Sequence, residues 1–284
     1  MILWYDKKGE IMKNKQYLIA VDLDGTLLTG FDHYDVKSFE LLKQLANTHV
    51  VIIATGRPLR SSKYYYDLLD LKTPIVNYNG ALVHNPRDES FPKQVVHIQK
   101  SDLFCFLQDN NHIIDNAFCE IEDNIYLHRE TNEVLPYLHL DGGYLQIGQL
   151  ETILPDNPNG AIIFSHAGTE QQLQDYINHH FNGRIQLRFW LVGDIVVSEF
   201  YNPITSKAKA LQYICDYYQI DHEHTIAIGD GHNDIEMINF AQYGVAMANA
   251  HPDLIKVAKY KTINVTDSGV YHFLNSFFNE KSPL

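Results

Sequence analysis

The sequence predicts an α/β protein in which a doubly wound parallel sheet is interrupted by an inserted α+β lobe, and three observations carry that expectation. Two mostly apolar runs near the start, Tyr17-Leu18-Ile19-Ala20-Val21 and Val50-Val51-Ile52-Ile53-Ala54, are rich in β-branched residues, as strands covered on both faces are. Between them Asp35 can cap a helix on which Phe39, Leu42 and Leu45 share one face. The same strand and helix grammar returns after residue 206.

There Ser206 can cap a helix carrying apolar Ala210, Leu211 and Ile214, followed by the strand Thr225-Ile226-Ala227-Ile228. A further helix runs from Asp234 through Met237 and Ala241, then come a strand over Gly244-Val245-Ala246-Met247 and another over 260–265. The middle of the chain is richer in His, Asn, Asp and Pro and its strands alternate more. Strands are expected at 94–98, 113–120, 160–165, 185–190 and 195–200, with helices at 101–109 and 169–180. Asn85-Pro86-Arg87-Asp88 and Tyr201-Asn202-Pro203 hold turn chemistry where the pattern changes. The expected organisation is thus a tail over 1–14, a core over 15–83 and 201–284, and an inserted lobe over 84–200.

Thirty-five acidic residues against 22 basic ones give a formal charge of −13, which opposes diffuse attraction to nucleic acid or an anionic membrane surface. An anionic ligand would have to be met locally, by a metal ion, a lysine or backbone N–H groups. The three cysteines, Cys105, Cys119 and Cys215, are odd in number and form no C-x-x-C pair, which suits a reducing compartment. No apolar run reaches the length of a membrane span and no secretory leader is recognisable, so a cytoplasmic protein is expected.

The segment Asp22-Leu23-Asp24-Gly25-Thr26-Leu27-Leu28 follows directly on the first strand, so two carboxylates emerge at the strand end where open α/β sheets bind ligands. Two such carboxylates repel each other and resist desolvation, so the pattern calls for a cation or a capping role. Three further segments stand at strand or helix ends: Ala54-Thr55-Gly56-Arg57-Pro58, Ser206-Lys207 and Gly229-Asp230-Gly231-His232-Asn233-Asp234.

Taken in order, these four segments resemble the four signatures of the haloacid dehalogenase superfamily, in its phosphatase branch with Asp at both positions of the first. Asn79-Gly80-Ala81 and Gly244-Val245-Ala246-Met247-Ala248-Asn249-Ala250 are similar to the Cof-type subgroup, which carries a type B α/β cap. Ala208 and Ser268 depart from the usual residues, at positions that carry no chemistry.

The resemblance implies a Rossmann-like catalytic core with an inserted cap domain, and a Mg²⁺-dependent phosphatase of small phosphorylated metabolites, such as sugar phosphates or phosphorylated cofactors. Asp22 would be the nucleophile that forms an aspartyl-phosphate, Asp24 the general acid and base, and Lys207 the charge that stabilises the transferring group. Asp22, the Asp24 backbone carbonyl and Asp230 would hold the metal through hard oxygens. Asn233 and Asp234 are open to two readings, metal binding or capping of the helix that begins there. Thr55, Gly56, Lys207 and Asn233 would bind the phosphate, while Arg57 and Asn79 are candidates for substrate contact. A phosphosugar mutase and a non-catalytic metabolite-binding regulator share the same motifs as alternatives.

Other features are given structural readings. His232 is expected to face solvent. The pairs His222/His224 and His179/His180 lack H-E-x-x-H spacing and an adjacent carboxylate pattern, so no zinc site is expected. Three consecutive tyrosines, Tyr64-Tyr65-Tyr66, point different ways on a helix and suit packing rather than a ligand stack.

Overall fold

The computed structural model describes residues 16–30 and 33–280, so the expected tail lies outside the described residues. The chain forms two compact units. The first takes the described residues up to Ala54, the stretch Leu68–Pro74 and those from Ala210 onward; the second takes Thr55–Asp67 and Ile75–Lys209. The stretch 84–200 lies wholly within the second.

The first unit is built on a parallel sheet of β1 (Leu18–Val21), β4 (Val50–Ile53), β14 (Thr225–Gly229), β15 (Tyr243–Ala246) and β16 (Tyr260–Lys261). Their order is β16-β15-β14-β1-β4. Every residue of β1, β4 and β14 is buried, which is why these runs carry no polar alternation. From β1 the chain steps outward to β4 on one side and later to β14 on the other, so the order reverses between β1 and β14. Such a reversal opens a crevice at the carboxyl ends of the strands. A short antiparallel ribbon of β2 (Leu28–Gly30) and β3 (His33–Tyr34) follows β1.

Helix α1 (Val36–Leu45) starts at Asp35, whose carboxylate accepts from the Lys37 N–H at 3.2 Å, and it buries Phe39 and Leu42 against the unit's core. It packs on α9 (Gly269–Glu280), while α7 (Ile235–Phe240) packs on β15 and on α8 (Pro252–Val257). Helix α6 (Lys207–Tyr218) begins in the second unit and runs into the first, burying Ala210, Leu211 and Ile214. The last strand is shorter than expected. Past Lys261 the chain turns: the Asn264 side chain accepts from Thr266 N, and Val265 N donates to Asn249 Oδ1 at 3.1 Å rather than to a strand.

The second unit contains a six-stranded sheet of β8 (Ile114–Ile121), β9 (Asn124–Leu127), β10 (Tyr144–Ile147), β11 (Ala161–His166), β12 (Gln186–Val192) and β13 (Ile195–Tyr201). The order is β10-β9-β8-β11-β13-β12, antiparallel except for β9 with β10. Helices α3 (Lys100–Asp109) and α5 (Glu170–His180) lay Leu103, Phe106, Leu173 and Ile177 against Ile163 and Phe200. A second apolar cluster gathers Phe118, Leu127, Val134, Phe164 and Val197. The unit also holds α4 (Leu150–Ile153), α2 (Leu59–Leu68) and a small antiparallel sheet of β5 (Ile75–Asn77), β6 (Leu82–His84) and β7 (Gln94–Val95). The strand expected over 94–98 is therefore only two residues long, and it belongs to this small sheet. No helix among the described residues is long and apolar enough to cross a membrane.

Candidate active site

Asp22 follows β1 and Asp230 follows β14. These strands are parallel and in register, with Val21 opposite Ile228, so both aspartates leave the sheet at the same end. The Asp22 N–H continues the ladder, donating to the Ile228 carbonyl at 3.1 Å. The result is a cluster in which Asp22, Asp230 and Asp234 each bring a carboxylate oxygen within 4.8 Å of the others. Asp22 and Asp234 are buried and Asp230 is half-buried.

Each carboxylate is aimed by its neighbours. Asp230 accepts from the Thr26 hydroxyl at 2.8 Å on Oδ1 and from Asn249 Nδ2 at 3.4 Å on Oδ2. The same Asn249 amide donates to the Gly25 carbonyl at 2.8 Å, tying the loop after β1 to the loop after β14. Asp234 Oδ2 accepts the N–H groups of Asp230 and Gly231 at 3.0 and 2.9 Å. Asp234 thus caps its own turn and also stands in the acidic cluster, so the two readings open for it are compatible. Gly25 has φ of 76°, and a Cβ there would stand 2.2 Å from Asp230 Oδ2. The loop after β1 must lack a side chain at this position for Asp230 to occupy its place.

Asp24 is exposed on that loop, which is wound tightly by the Leu27 and Leu28 N–H groups donating to the Leu23 carbonyl at 2.9 and 2.8 Å. The half-buried Asn233 lays its carbonyl oxygen 2.3 Å from where a Gly231 Cβ would be. His232 is exposed, edge-on to His251.

The remaining predicted residues belong to the second unit and gather there. Thr55 is fully buried; its Oγ1 accepts from Arg57 N at 3.1 Å and its N–H donates to the Val76 carbonyl at 2.9 Å. Arg57 is buried, donating to the Ser61 carbonyl at 3.4 Å with its guanidinium 5.8 Å from the centre of the Tyr65 ring. Asn79 is buried beside Gly56, where a Cβ would meet its Oδ1 at 3.2 Å. Gly80 in turn backs onto the Ser206 carbonyl, 2.5 Å from the position of a Cβ, and Lys207 follows with 1 % of its surface exposed.

Thr26 and Asn249, which fix Asp230, escaped assignment although both lie within quoted motifs. A signal was available for Thr26, a hydroxyl two residues beyond Asp24. The tyrosines divide as their helical phases require, Tyr65 and Tyr66 buried and Tyr64 64 % exposed. The expected lack of a neighbouring carboxylate needs correction: Asp221 and Glu223 both precede His224 closely, and the three bring ligand atoms within 4.8 Å of one another. The carboxylates were overlooked because they sit at odd spacing on a 3₁₀ turn rather than on a helix face.

The family model for haloacid dehalogenase-like hydrolases matches residues 19–274. The chain belongs to the haloacid dehalogenase-like hydrolases. It is 33 % identical over 271 residues to the 5-amino-6-(5-phospho-D-ribitylamino)uracil phosphatase YitU of Bacillus subtilis, covering 94 % of this chain and 100 % of that one. A haloacid dehalogenase-like hydrolase from Bacteroides thetaiotaomicron superposes with a TM-score of 0.77 at 25 % identity, over 93 % of this chain and 100 % of the other. The subclass IIB sugar phosphatase BT4131 shares the fold, with a TM-score of 0.76 at 20 % identity over 93 % and 99 % of the two chains. This haloacid dehalogenase-like chain is accordingly a phosphatase of the Cof type with a type B cap, and its acidic cluster fits a metal site.

Proposed function

We propose that this phosphatase hydrolyses phosphate monoesters of small metabolites, sugar phosphates or phosphorylated cofactors and their precursors, with Mg²⁺ and through an aspartyl-phosphate on Asp22. The observation that carries the reading is the convergence of Asp22, Asp230 and Asp234 within 4.8 Å. Three carboxylates so close repel one another unless a cation compensates them, and an all-oxygen donor set with no sulfur or imidazole fits a hard divalent ion. Asp22, the Asp24 backbone carbonyl and Asp230 would hold Mg²⁺, with Asn233 and Asp234 beside them. When bound, the ion neutralises charge on the phosphoryl group and on the carboxylates around it.

The chain's own groups then divide the work. The Asp22 carboxylate attacks phosphorus as the ester oxygen departs, and that oxygen takes its proton from the Asp24 carboxyl. Asp24, now ionised, removes a proton from water as the water oxygen attacks the aspartyl-phosphate, releasing inorganic phosphate and restoring Asp22. Lys207 offers a compact charge to the phosphoryl oxygens, Thr55 a hydroxyl proton, Gly56 a close approach of backbone N–H, and Asn233 an amide. Arg57 would reach the rest of the substrate; the other candidate, Asn79, is buried, with its amide nitrogen donating to Glu199. Residues 84–200 would form the cap that selects the leaving group.

Support for the substrate class comes from the Bacillus subtilis relative, whose named substrate carries its phosphate on a ribityl chain. The charge of −13 speaks against a polyanionic nucleic acid substrate or a membrane surface. The three cysteines, all free, are consistent with the cytoplasm. Incubating the purified protein and Mg²⁺ with a panel of metabolite monoesters that includes 5-amino-6-(5-phospho-D-ribitylamino)uracil, and measuring released phosphate, tests the reading. Release from at least one member is expected. Isomerisation of a sugar phosphate without release would replace the phosphatase by a mutase, and binding without turnover of any member would favour a regulator.

A further inference from the structure

Glu199 and Arg188 have no part in the chemistry above, yet in the second unit they are joined to it. Tyr78, Asn79 and Gly80 are consecutive residues with φ of 50°, 55° and 104°. Two of them carry a Cβ, and such a run persists only where its surroundings over-determine it. Part of the restraint is backbone: Tyr78 N donates to the Arg57 carbonyl at 3.3 Å and Asn79 N to the Thr55 carbonyl at 3.1 Å. The rest comes from side chains. Asn79 Nδ2 donates to Glu199 Oε2 at 3.1 Å, and Arg188 donates to the same oxygen at 2.8 Å.

Only the amide nitrogen of Asn79 can donate to a carboxylate, so Glu199 fixes which way that amide is turned. The amide lies against Gly56, its Oδ1 and Nδ2 standing 3.2 and 3.4 Å from where a Cβ would be. Glu199 is itself fixed: it faces Arg188 across the β12–β13 pair, both side chains are nearly buried, and the guanidinium lies 4.4 Å from the centre of the Tyr201 ring. A continuous set of contacts therefore runs from Arg188 through Glu199 and Asn79 to the Thr55–Gly56 loop.

We propose that Glu199, braced by Arg188, is a positioning residue that holds Asn79 and through it the Thr55–Gly56 loop in the geometry that receives the phosphoryl group. This rests on the reading that Thr55 and Gly56 bind that group. A strand of the inserted lobe thereby sets the affinity for phosphate itself, whatever leaving group the lobe selects.

Binding of inorganic phosphate to the full-length protein in Mg²⁺ buffer, by isothermal titration calorimetry, tests the proposal alongside kcat/KM for two esters with unlike leaving groups. Glu199→Ala and Asn79→Ala should each weaken phosphate about tenfold, the loss of one charge-assisted hydrogen bond, and lower kcat/KM for both esters by a common factor. The double variant should be no weaker than the weaker single one, because both break one linkage. Glu199→Gln retains an acceptor oxygen for Asn79 and should recover most of the binding. Asn79→Ala leaves the Arg188–Glu199 pair intact, so it reports even where Glu199→Ala does not fold. Thr55→Ala must weaken phosphate independently; if it does not, the assignment of the phosphate loop fails rather than the relay. Given that control, the proposal is overturned by unchanged phosphate affinity in Asn79→Ala or in folded Glu199→Ala. Losses that multiply in the double variant, or that depend on the leaving group, overturn it too.

Discussion

At position 25 there is no room for a methyl group: φ is 76° and the Asp230 carboxylate occupies the space a Cβ would take. Gly25→Ala should therefore displace Asp230, and the Mg²⁺ concentration for half-maximal phosphate release should rise at least about tenfold, a shift of roughly 1.4 kcal/mol in binding. Asp22→Asn should abolish both turnover and the phosphoenzyme while the protein stays folded; near-normal turnover would reject the nucleophile. Asp24→Asn should lose far more kcat/KM, which reports the step in which the leaving group departs, with an alkyl phosphate, whose leaving oxygen needs a proton, than with p-nitrophenyl phosphate, whose leaving group does not. Equal losses would reject its acid role. The acidic residues were legible because each sits in a short segment at a strand end, as Asp22 and Asp230 do. Thr26 was passed over although it lies in the first of those segments, because the carboxylate it holds, Asp230, is 204 residues away in the chain.

Among the elements, α1 shows how one cap can serve two helices. Asp35 Oδ1 accepts from Lys37 N at 3.2 Å and from the Ser268 hydroxyl at 2.8 Å, and Ser38 Oγ accepts from Tyr271 N at 2.9 Å near the start of α9. Asp35→Ala should cost about 1–2 kcal/mol in urea unfolding, a typical cap loss with a tertiary bond added, and leave phosphate release unchanged. On β6, burial, with Lys93 nearby, holds the His84 imidazole down to about 4. The unfolded chain takes up that proton near the ordinary value of 6.5, so the stability this histidine contributes is complete above 6.5 and is lost as pH falls toward 4. His84→Gln should accordingly show a smaller drop in Tm between pH 7 and pH 5 than the wild type. Strands such as β1, β4 and β14 could be read from the sequence because burial on both faces removes all polar alternation. Strands β9 and β10 could not: four residues each, with Asn124 and Gln146 among them, carry too few periods to separate from loop.

For the whole molecule, the division into two units predicts unfolding that is not two-state. Calorimetry should resolve two transitions, with Mg²⁺ raising only the one that belongs to the unit holding Asp22, Asp230 and Asp234. Asp230→Asn should abolish that rise and, in EDTA, stabilise the same transition by removing one of three crowded charges. Phe106→Ala, in the apolar cluster of the second unit, should lower the other transition through a cavity worth about 3–5 kcal/mol. A single transition moved by both substitutions would contradict the division. The strand order of the first unit also bears on synthesis. β1 is hydrogen-bonded to β4 on one flank and to β14 on the other, and β14 starts only at Thr225. A nascent chain emerging from the ribosome therefore carries β1 with one flank unpaired while the whole inserted lobe is translated. The sticky edge of an early strand is sealed by a late one, so the growing polypeptide needs shelter until Thr225–Gly229 has been made.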